Sequence, residues 1–332
     1  MSVIRAIARR KGTLAVVAML GLAGVLTVTG TRLAASQGTV LTALRTDQEV
    51  PVHRPWDAFW NGIPKVSIPL SAQQITPPMG GHRWSLAARA VQDGERLYIE
   101  LEWADPTPNR SVGTPQLFTD AAAVQFPAVA SRQVPAFCMG DPTATVNIWQ
   151  WKAAWQADLN RGFQGGVKHQ YPNAHVDEYP FHDDPTFYPG RYVGNPFSQI
   201  DRTSAVDNLV AAGFGTLTPD PTPVVQGWGA WREGTWRVVF ERPLQVGRRG
   251  NVELGADDWT DVAFAVWDGA VGERDGVKSV ANFVALNVSP KALSTSSHFP
   301  YWPAPFFVFL AVWVLFAWIV VRGPSSRKEP AP

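Results

Sequence analysis

The sequence predicts a mainly β fold, an antiparallel β-sandwich, and three observations carry that prediction. Segments in which apolar and polar residues alternate recur between about residues 64 and 288, the period of a half-buried strand. The chain holds 15 tryptophans, and aromatic side chains favour the pleated surface of a sheet. It also holds 28 prolines, which break helices and settle in ordered turns and loops. At 332 residues there is enough chain for a sizeable buried core. A net charge of +1 advertises no basic face, which argues against a nucleic-acid partner.

In chain order, Arg5, Arg9, Arg10 and Lys11 precede an apolar run over residues 13–28, and Ala34, Ala35 and Ser36 offer small residues for cleavage. Residues 1–36 therefore read as a signal peptide or an N-terminal membrane anchor. Strands follow at 85–91 and 97–103, joined by a hairpin turn at Asp93-Gly94. Leu97, Ile99, Leu101 and Trp103 form the apolar face of the second. Residues 122–126 make a short apolar strand ended by Pro127, and a tryptophan-rich strand runs over 146–152. Strands at 227–231 and 236–241 flank the turn Arg232-Glu233-Gly234, and segments 262–267 and 283–288 complete the set. This spacing suits two antiparallel sheets packed face to face. Between about residues 154 and 207 the alternation stops. Prolines there are interleaved with Tyr171, Tyr179, Phe181, Phe187, Tyr188 and Tyr192, which reads as a loop-rich insertion into the sandwich whose aromatics pack against a partner or the body of the domain.

The C-terminal end has a different character. Residues 306–321 are apolar and uncharged, with Tyr301 and Trp302 before them and Arg322, Arg327 and Lys328 after. Aromatic belt, apolar span and basic flank in that order predict a transmembrane helix over 301–322 with a cytoplasmic tail at 323–332. Both apolar segments carry their basic residues on the outer end. Residues 37–300 are accordingly expected on the extracytoplasmic, periplasmic side of the cytoplasmic membrane.

Cys138 is the only cysteine. That excludes an intrachain disulfide, a c-type haem attachment and a cysteine-ligated iron–sulfur cluster. A metal centre here has to draw on His, Met, Lys or carboxylates. Of the six histidines, His169, His175 and His182 lie in the insertion among acidic residues, at spacings that match no zinc motif and suit a solvated loop. A bis-histidine site nonetheless stands as a chemical alternative, since His is the usual ligand of haem iron. By residue type alone, Met139 fills a core gap, Lys278 is a solvated turn residue after Asp275-Gly276, and Lys152 is a charge at a strand end. The chain has no Gly-x-Ser-x-Gly elbow, phosphate-binding glycine loop or His-Glu-x-x-His run, which fits a carrier better than an enzyme.

A series of elements in fixed order runs along the chain. It begins with Trp56-Asp57, Trp103-Ala104-Asp105 and residues 123–127. Cys138-Met139-Gly140-Asp141 then stands ahead of Asn147-Ile148-Trp149-Gln150-Trp151-Lys152. Residues 227–244 follow, and Trp267-Asp268-Gly269 leads through Glu273-Arg274 to Lys278. Over about residues 47–288 this series resembles the haem b-binding gamma subunits of complex iron–sulfur molybdoenzymes. Ethylbenzene dehydrogenase, dimethylsulfide dehydrogenase and the selenate and chlorate reductases belong to that group.

The resemblance implies one non-covalent haem b held between Met139 and Lys278, with the soft thioether raising the reduction potential. Lys152 is the second lysine, as ligand or propionate partner, and Trp149, Trp151 and Trp267 are expected to wall the pocket. The implied role is non-catalytic electron transfer between an iron–sulfur subunit and another carrier, a c-type cytochrome or a quinone-linked one. The molybdopterin catalytic subunit would be a separate chain. The insertion and the C-terminal span depart from the simpler soluble members of that group. The alternative is a membrane-tethered, non-redox β-sandwich that binds carbohydrate or another ligand through its tryptophans.

Overall fold

The computed structural model describes residues 39–293 apart from 76, 129–134, 138, 164–170, 174–188 and 221–223. The expected signal or anchor over 1–36, the expected span over 301–322, Cys138 and four of the histidines (His169, His175, His182 and His298) lie outside the described residues. Among the described residues no helix is long and apolar enough to cross a membrane.

The fold is mainly β. Its first half contains β1 (Val40–Arg45), β2 (Val66–Pro69), β3 (Ser71–Ala72), β4 (Ser85–Gln92), β5 (Arg96–Ala104), β6 (Ala121–Pro127) and β7 (Val146–Lys152). The second half contains β8 (Val206–Ala211), β9 (Thr218–Pro219), β10 (Gln226–Arg232), β11 (Thr235–Pro243), β12 (Trp259–Trp267), β13 (Ser279–Val280) and β14 (Val284–Ala292). They join in one continuous sheet whose main path runs β10-β11-β5-β4-β1-β14-β12-β6-β7-β8-β9.

The path turns at β12. Residues Trp259 to Val262 of that strand pair with β14, and Ala263 to Trp267 pair with β6. The two arms fold back so that their inner faces share one core. Trp103 of β5 meets Trp151 of β7 edge-on at 6.3 Å between ring centroids, and Trp236 of β11 lies 4.9 Å from Trp151. On β10, a side chain at Gly229 would place its Cβ 2.2 Å from the Trp151 ring, so only glycine lets this edge strand close over the core.

Most pairings are antiparallel as the sequence suggests. The exception is β1, which the alternation did not reveal and which lies parallel to both β14 and β4. With Leu41 and Ala43 fully buried, six residues of modest hydrophobicity are held by pairing on both edges. The two-residue turn between β10 and β11 has positive φ at Glu233 (48°) and Gly234 (79°), the handedness that matches strand twist in a tight hairpin.

Two expectations need correction. Strand β5 is not half-buried: Tyr98 and Glu100 on its polar side are covered as well. Arg89 bonds Glu100 at 2.6 Å and Glu102 at 3.1 Å, and Arg237 bonds Glu102 at 2.8 Å. Trp56 lies 4.2 Å from the Arg237 guanidinium carbon and closes this charged layer. Buried charges are tolerated because each is paired. The stretch 154–207 also opens with a helix, Ala153–Arg161, where loop was expected. Its alanines and leucine carry high helix propensity and residues 154–171 hold no proline, so the eye-catching prolines from Pro172 onward masked an ordinary helical start.

Trp151 has no accessible surface and touches both arms of the sheet. Trp151→Ala is expected to cost about 3–5 kcal/mol through the cavity it leaves. Urea unfolding followed by far-UV circular dichroism checks this, with a lower midpoint and an unchanged slope.

Candidate functional site

Strand alternation gives the β12–β6–β7–β8 arm two different faces. Ala122, Val124 and Phe126 of β6, Trp149 and Trp151 of β7, and Phe264 and Val266 of β12 enter the shared core. The opposite face carries a second apolar cluster: Ala121 and Ala123, Val146 and Ile148, Leu209 and Ala211, Ala265 and Trp267, and Val280. Four of these are alanines, so the outer face is low and leaves room above it. Loops rise around it to form a cavity of about 610 Å³, lined among others by Val112, Phe118, Ile148, Leu209, Phe214, Leu217 and Trp267. That size and this largely apolar lining are those of a site for a small molecule or cofactor.

Met139 and Lys278 both line this cavity. Met139 sits in the loop between β6 and β7 with φ at 71°, a left-handed conformation that side chains other than Gly, Asn and Asp rarely adopt. Its amide donates to Gln125 Oε1 at 3.1 Å, and its carbonyl accepts from the Gly213 amide at 3.0 Å. Gly140, with φ at 72°, completes the turn, and a Cβ there would come 2.8 Å from the Ala144 carbonyl. Lys278 precedes β13 and is 7% exposed. Its Nζ lies 5.1 Å from the Trp267 ring centroid. Its amide donates to the Gly80 carbonyl at 3.1 Å, and its own carbonyl accepts from the Gln73 amide at 3.0 Å.

Lys152 lines the cavity too, at the end of β7. Its Nζ lies 3.2 Å from Asp207 Oδ2 and 3.6 Å from the Trp155 ring centroid. Burial pushes its ammonium down to about 8, with Asp207 opposing the fall. The tryptophans divide. Trp267 is in the lining, as expected, whereas Trp149 and Trp151 are not and belong to the inter-sheet core. The reason is the strand period: on β7, residues 148, 150 and 152 face the cavity and 149 and 151 face away. Sequence reasoning missed the loop residues Phe214 and Leu217, which carry no motif. It also missed Gln125, whose signal was a polar residue inside an otherwise apolar strand.

Beside the cavity lies a buried acidic nest. Asp105, Asp120 and Asp268 bring carboxylate oxygens within 4.8 Å of one another. Arg83 Nη2 donates to Asp268 Oδ2 at 2.5 Å and Asp105 Oδ1 at 3.1 Å. Asp120 accepts from the Gly269 amide at 2.9 Å, the Asn109 amide at 2.7 Å and Trp236 Nε1 at 3.0 Å. Glu273, which lines the cavity, accepts from the Asp268 amide at 2.8 Å and meets His82 Nδ1 at 2.8 Å. Burial, with Asp105 nearby, pushes the Asp120 carboxyl up to about 7, and burial pushes Asp105 up to about 6.

A carboxyl raised in the folded state holds its proton while the unfolded chain has already lost it. Asp120 therefore makes stability fall as pH rises from about 3.8 to about 7, and contributes no further slope above that. Asp120→Asn removes the titration. The stability advantage of the native chain over this variant is expected to be greatest near the acid end of that window and to shrink toward neutrality. Denaturant titrations of both proteins at a series of pH values check the sign.

The chain matches the ethylbenzene dehydrogenase family over residues 57–279. It is similar to a putative respiratory nitrate reductase heme subunit of Haloferax mediterranei, at 27% identity over 279 residues, covering 81% of this chain and 78% of the relative. It is 30% identical over 271 residues to the chlorate reductase subunit gamma of Ideonella dechloratans, covering 79% of this chain and 92% of that one. The dimethylsulfide dehydrogenase subunit gamma of Rhodovulum sulfidophilum is 27% identical over 254 residues, covering 72% and 76%. Among solved structures, a family 9 carbohydrate binding module from Caldicellulosiruptor kristjanssonii in complex with glucose covers 78% of this chain and 100% of its own. Its TM-score of 0.38 at 9% identity carries no argument about function. The match over 57–279 takes in both turns and β7, hence Met139, Lys152 and Lys278, and the chain belongs to the ethylbenzene dehydrogenase family.

Proposed function

We propose that this chain is a non-catalytic electron-transfer subunit of a molybdopterin-dependent oxidoreductase complex, holding one non-covalent haem b in the cavity between Met139 and Lys278. The observation that carries the proposal is that two turns far apart in sequence bring a thioether and a buried amine to the lining of the same cavity. Relatives named as gamma subunits of chlorate reductase and dimethylsulfide dehydrogenase, and one named as a heme subunit, support it.

The residues present fit the group. The cavity volume of about 610 Å³ would accommodate a flat macrocycle, and the apolar lining by Val112, Phe118, Ile148, Leu209 and Phe214 would help to keep water from it. Arg274 and Lys152 bring positive charge to the lining, where propionate carboxylates need it. When bound, the haem supplies a one-electron carrier. Met139 offers a neutral soft donor that favours ferrous iron, and its fixed backbone limits the positions its sulfur can take. Lys278 offers an amine lone pair, so ligation is coupled to loss of one proton from this side chain. Lys152 stays behind it as a ligand, because Asp207 and the Trp155 ring already hold its Nζ. The carbohydrate reading is disfavoured by the relatives, which are named as subunits of chlorate reductase and dimethylsulfide dehydrogenase. Trp149, Trp151, Trp155 and Trp236 are buried, whereas Trp84 and Trp259 are exposed.

The sequence further supports a membrane-anchored subunit whose main domain stands on the extracytoplasmic side, beside an iron–sulfur subunit and a molybdopterin catalytic subunit. Protease added to intact spheroplasts is then expected to remove residues 37–300 while the C-terminal tail survives. Protection of the domain with loss of the tail reverses the topology.

The ligand assignment has its own test. The purified chain with haem is expected to show a Soret band and a low-spin spectrum. Met139→Ala lowers the midpoint potential and weakens haem retention at least about tenfold. Lys278→Ala would remove the second proposed iron ligand and is expected to give a high-spin spectrum, and Lys152→Ala to stay low-spin. A low-spin spectrum that survives Lys278→Ala but is lost in Lys152→Ala or in a histidine variant overturns the assignment.

A further inference from the structure

We propose that two buried glutamines, Gln125 and Gln73, are the positioning residues that hold the Met139 and Lys278 turns at the cavity. This rests on the reading of Met139 and Lys278 as haem ligands.

Neither glutamine belongs where it is by hydrophobic logic. Gln125 lies on β6, on the low outer face beside Ala121 and Ala123, and is 7% exposed. Gln73 follows β3 and has no accessible surface. A buried amide is costly unless its donors and acceptor are satisfied, so what each amide bonds to shows what it holds.

Gln125 donates to the Phe137 carbonyl at 3.0 Å and accepts from the Met139 amide at 3.1 Å. It brackets the peptide units on both sides of residue 138. Its effect falls on a residue whose φ of 71° is unfavourable for methionine, so without the bracket the turn relaxes toward ordinary backbone and takes the thioether with it. Gln73 treats the other turn the same way. It donates to the Gly276 carbonyl at 2.9 Å and to the Pro78 carbonyl at 3.3 Å, while Oε1 accepts from the Ile75 amide at 2.5 Å. Its backbone amide reaches the Lys278 carbonyl, so side chain and main chain of one residue fasten both ends of the 276–278 segment. At Gly81 a Cβ would come 2.4 Å from the Lys278 carbonyl, which shows how closely the 73–81 hairpin is pressed on that segment. Groups that support a metal ligand from behind in this way commonly matter to metal retention by about 10–100-fold.

The test uses the full chain carrying Gln125→Leu or Gln73→Leu, each beside its Glu counterpart, with Met139→Ala and Lys278→Ala as references. Glu keeps the acceptor oxygen for the Met139 or Ile75 amide but donates nothing. In the haem-free protein, amide hydrogen exchange is expected to quicken at Met139 in Gln125→Leu and over residues 276–278 in Gln73→Leu, at unchanged far-UV circular dichroism. In the loaded protein both Leu variants are expected to release haem to an acceptor protein about tenfold faster, with part of the spectrum turned high-spin, and the Glu variants to fall between. Adding Gln125→Leu to Met139→Ala changes haem loss no further, because the glutamine acts through the methionine. Native spectra and haem loss in folded Leu variants, or additivity in the double variant, overturn the proposal. If the Leu variants do not fold, the Glu variants decide, and native haem retention in both overturns it. If Met139→Ala and Lys278→Ala leave the spectrum unaltered, the ligand reading has failed first, and the two failures are told apart.

Discussion

The β12–β6–β7–β8 arm has to satisfy two apolar environments at once, and the rest of the structure depends on how its strands divide their residues between them. One face meets the other arm of the sheet through Trp149, Trp151, Phe126 and Phe264. The other forms the floor of the cavity. Because side chains alternate with a period of two, a strand cannot enlarge one face without keeping the other in register. Large aromatics fill the core side, and alanines at 121, 123, 211 and 265 keep the cavity side low. A single-residue slip in β7 would put tryptophan into the cavity and Gln150 and Lys152 into the core. The register is therefore fixed by the same residues that make the space.

Much of this was legible in the sequence, and the reasons for the failures are specific. Strands with clean alternation and turn residues at their ends, such as β4, β5, β10 and β11, were found to within a residue or two. β1 was not, because a six-residue strand paired in parallel on both edges needs neither a hairpin turn nor strong alternation. The polar side of β5 looked solvated because Glu100 and Glu102 are charged, and nothing local announces that Arg89 of β4, Arg237 of β11 and Trp56 come from elsewhere to pair and cover them. The helix Ala153–Arg161 was lost in a region judged by its prolines.

At the site, Met139 and Lys278 could be singled out only through their order relative to the tryptophan-rich strand and the Trp267-Asp268-Gly269 turn. Their residue types alone suggest a core filler and a surface charge. The expectation that Trp149 and Trp151 wall the pocket confused proximity in sequence with proximity in space. They are one residue from Ile148, Gln150 and Lys152, and for that reason they point the opposite way. Trp267 escapes the error because it shares a face with Ala265, at the cavity end of β12.

The conformation of Met139 bears on what its side chain is for. Among the described residues, the other non-glycine positions with positive φ are Glu233, Asp257 and Asp275, acidic residues in turns. Methionine gains nothing from a left-handed backbone, which costs of order 1–3 kcal/mol when the surroundings impose it. If the position served only the turn, Gly or Asn would fill it at less cost, and if it served only packing, a methionine on regular strand would do as well. The left-handed turn is instead stabilised by Gln125 and by the Gly213 amide, and a thioether is kept in it at the edge of an apolar cluster. An imposed conformation, held by dedicated bonds and carrying a side chain poorly suited to it, is what the proposed role of the sulfur as an iron ligand would require. Lys278 meets the same criterion from the other side. A lysine that costs burial is fixed by backbone bonds to Gly80 and Gln73, and its nitrogen is laid against an indole ring in the cavity wall.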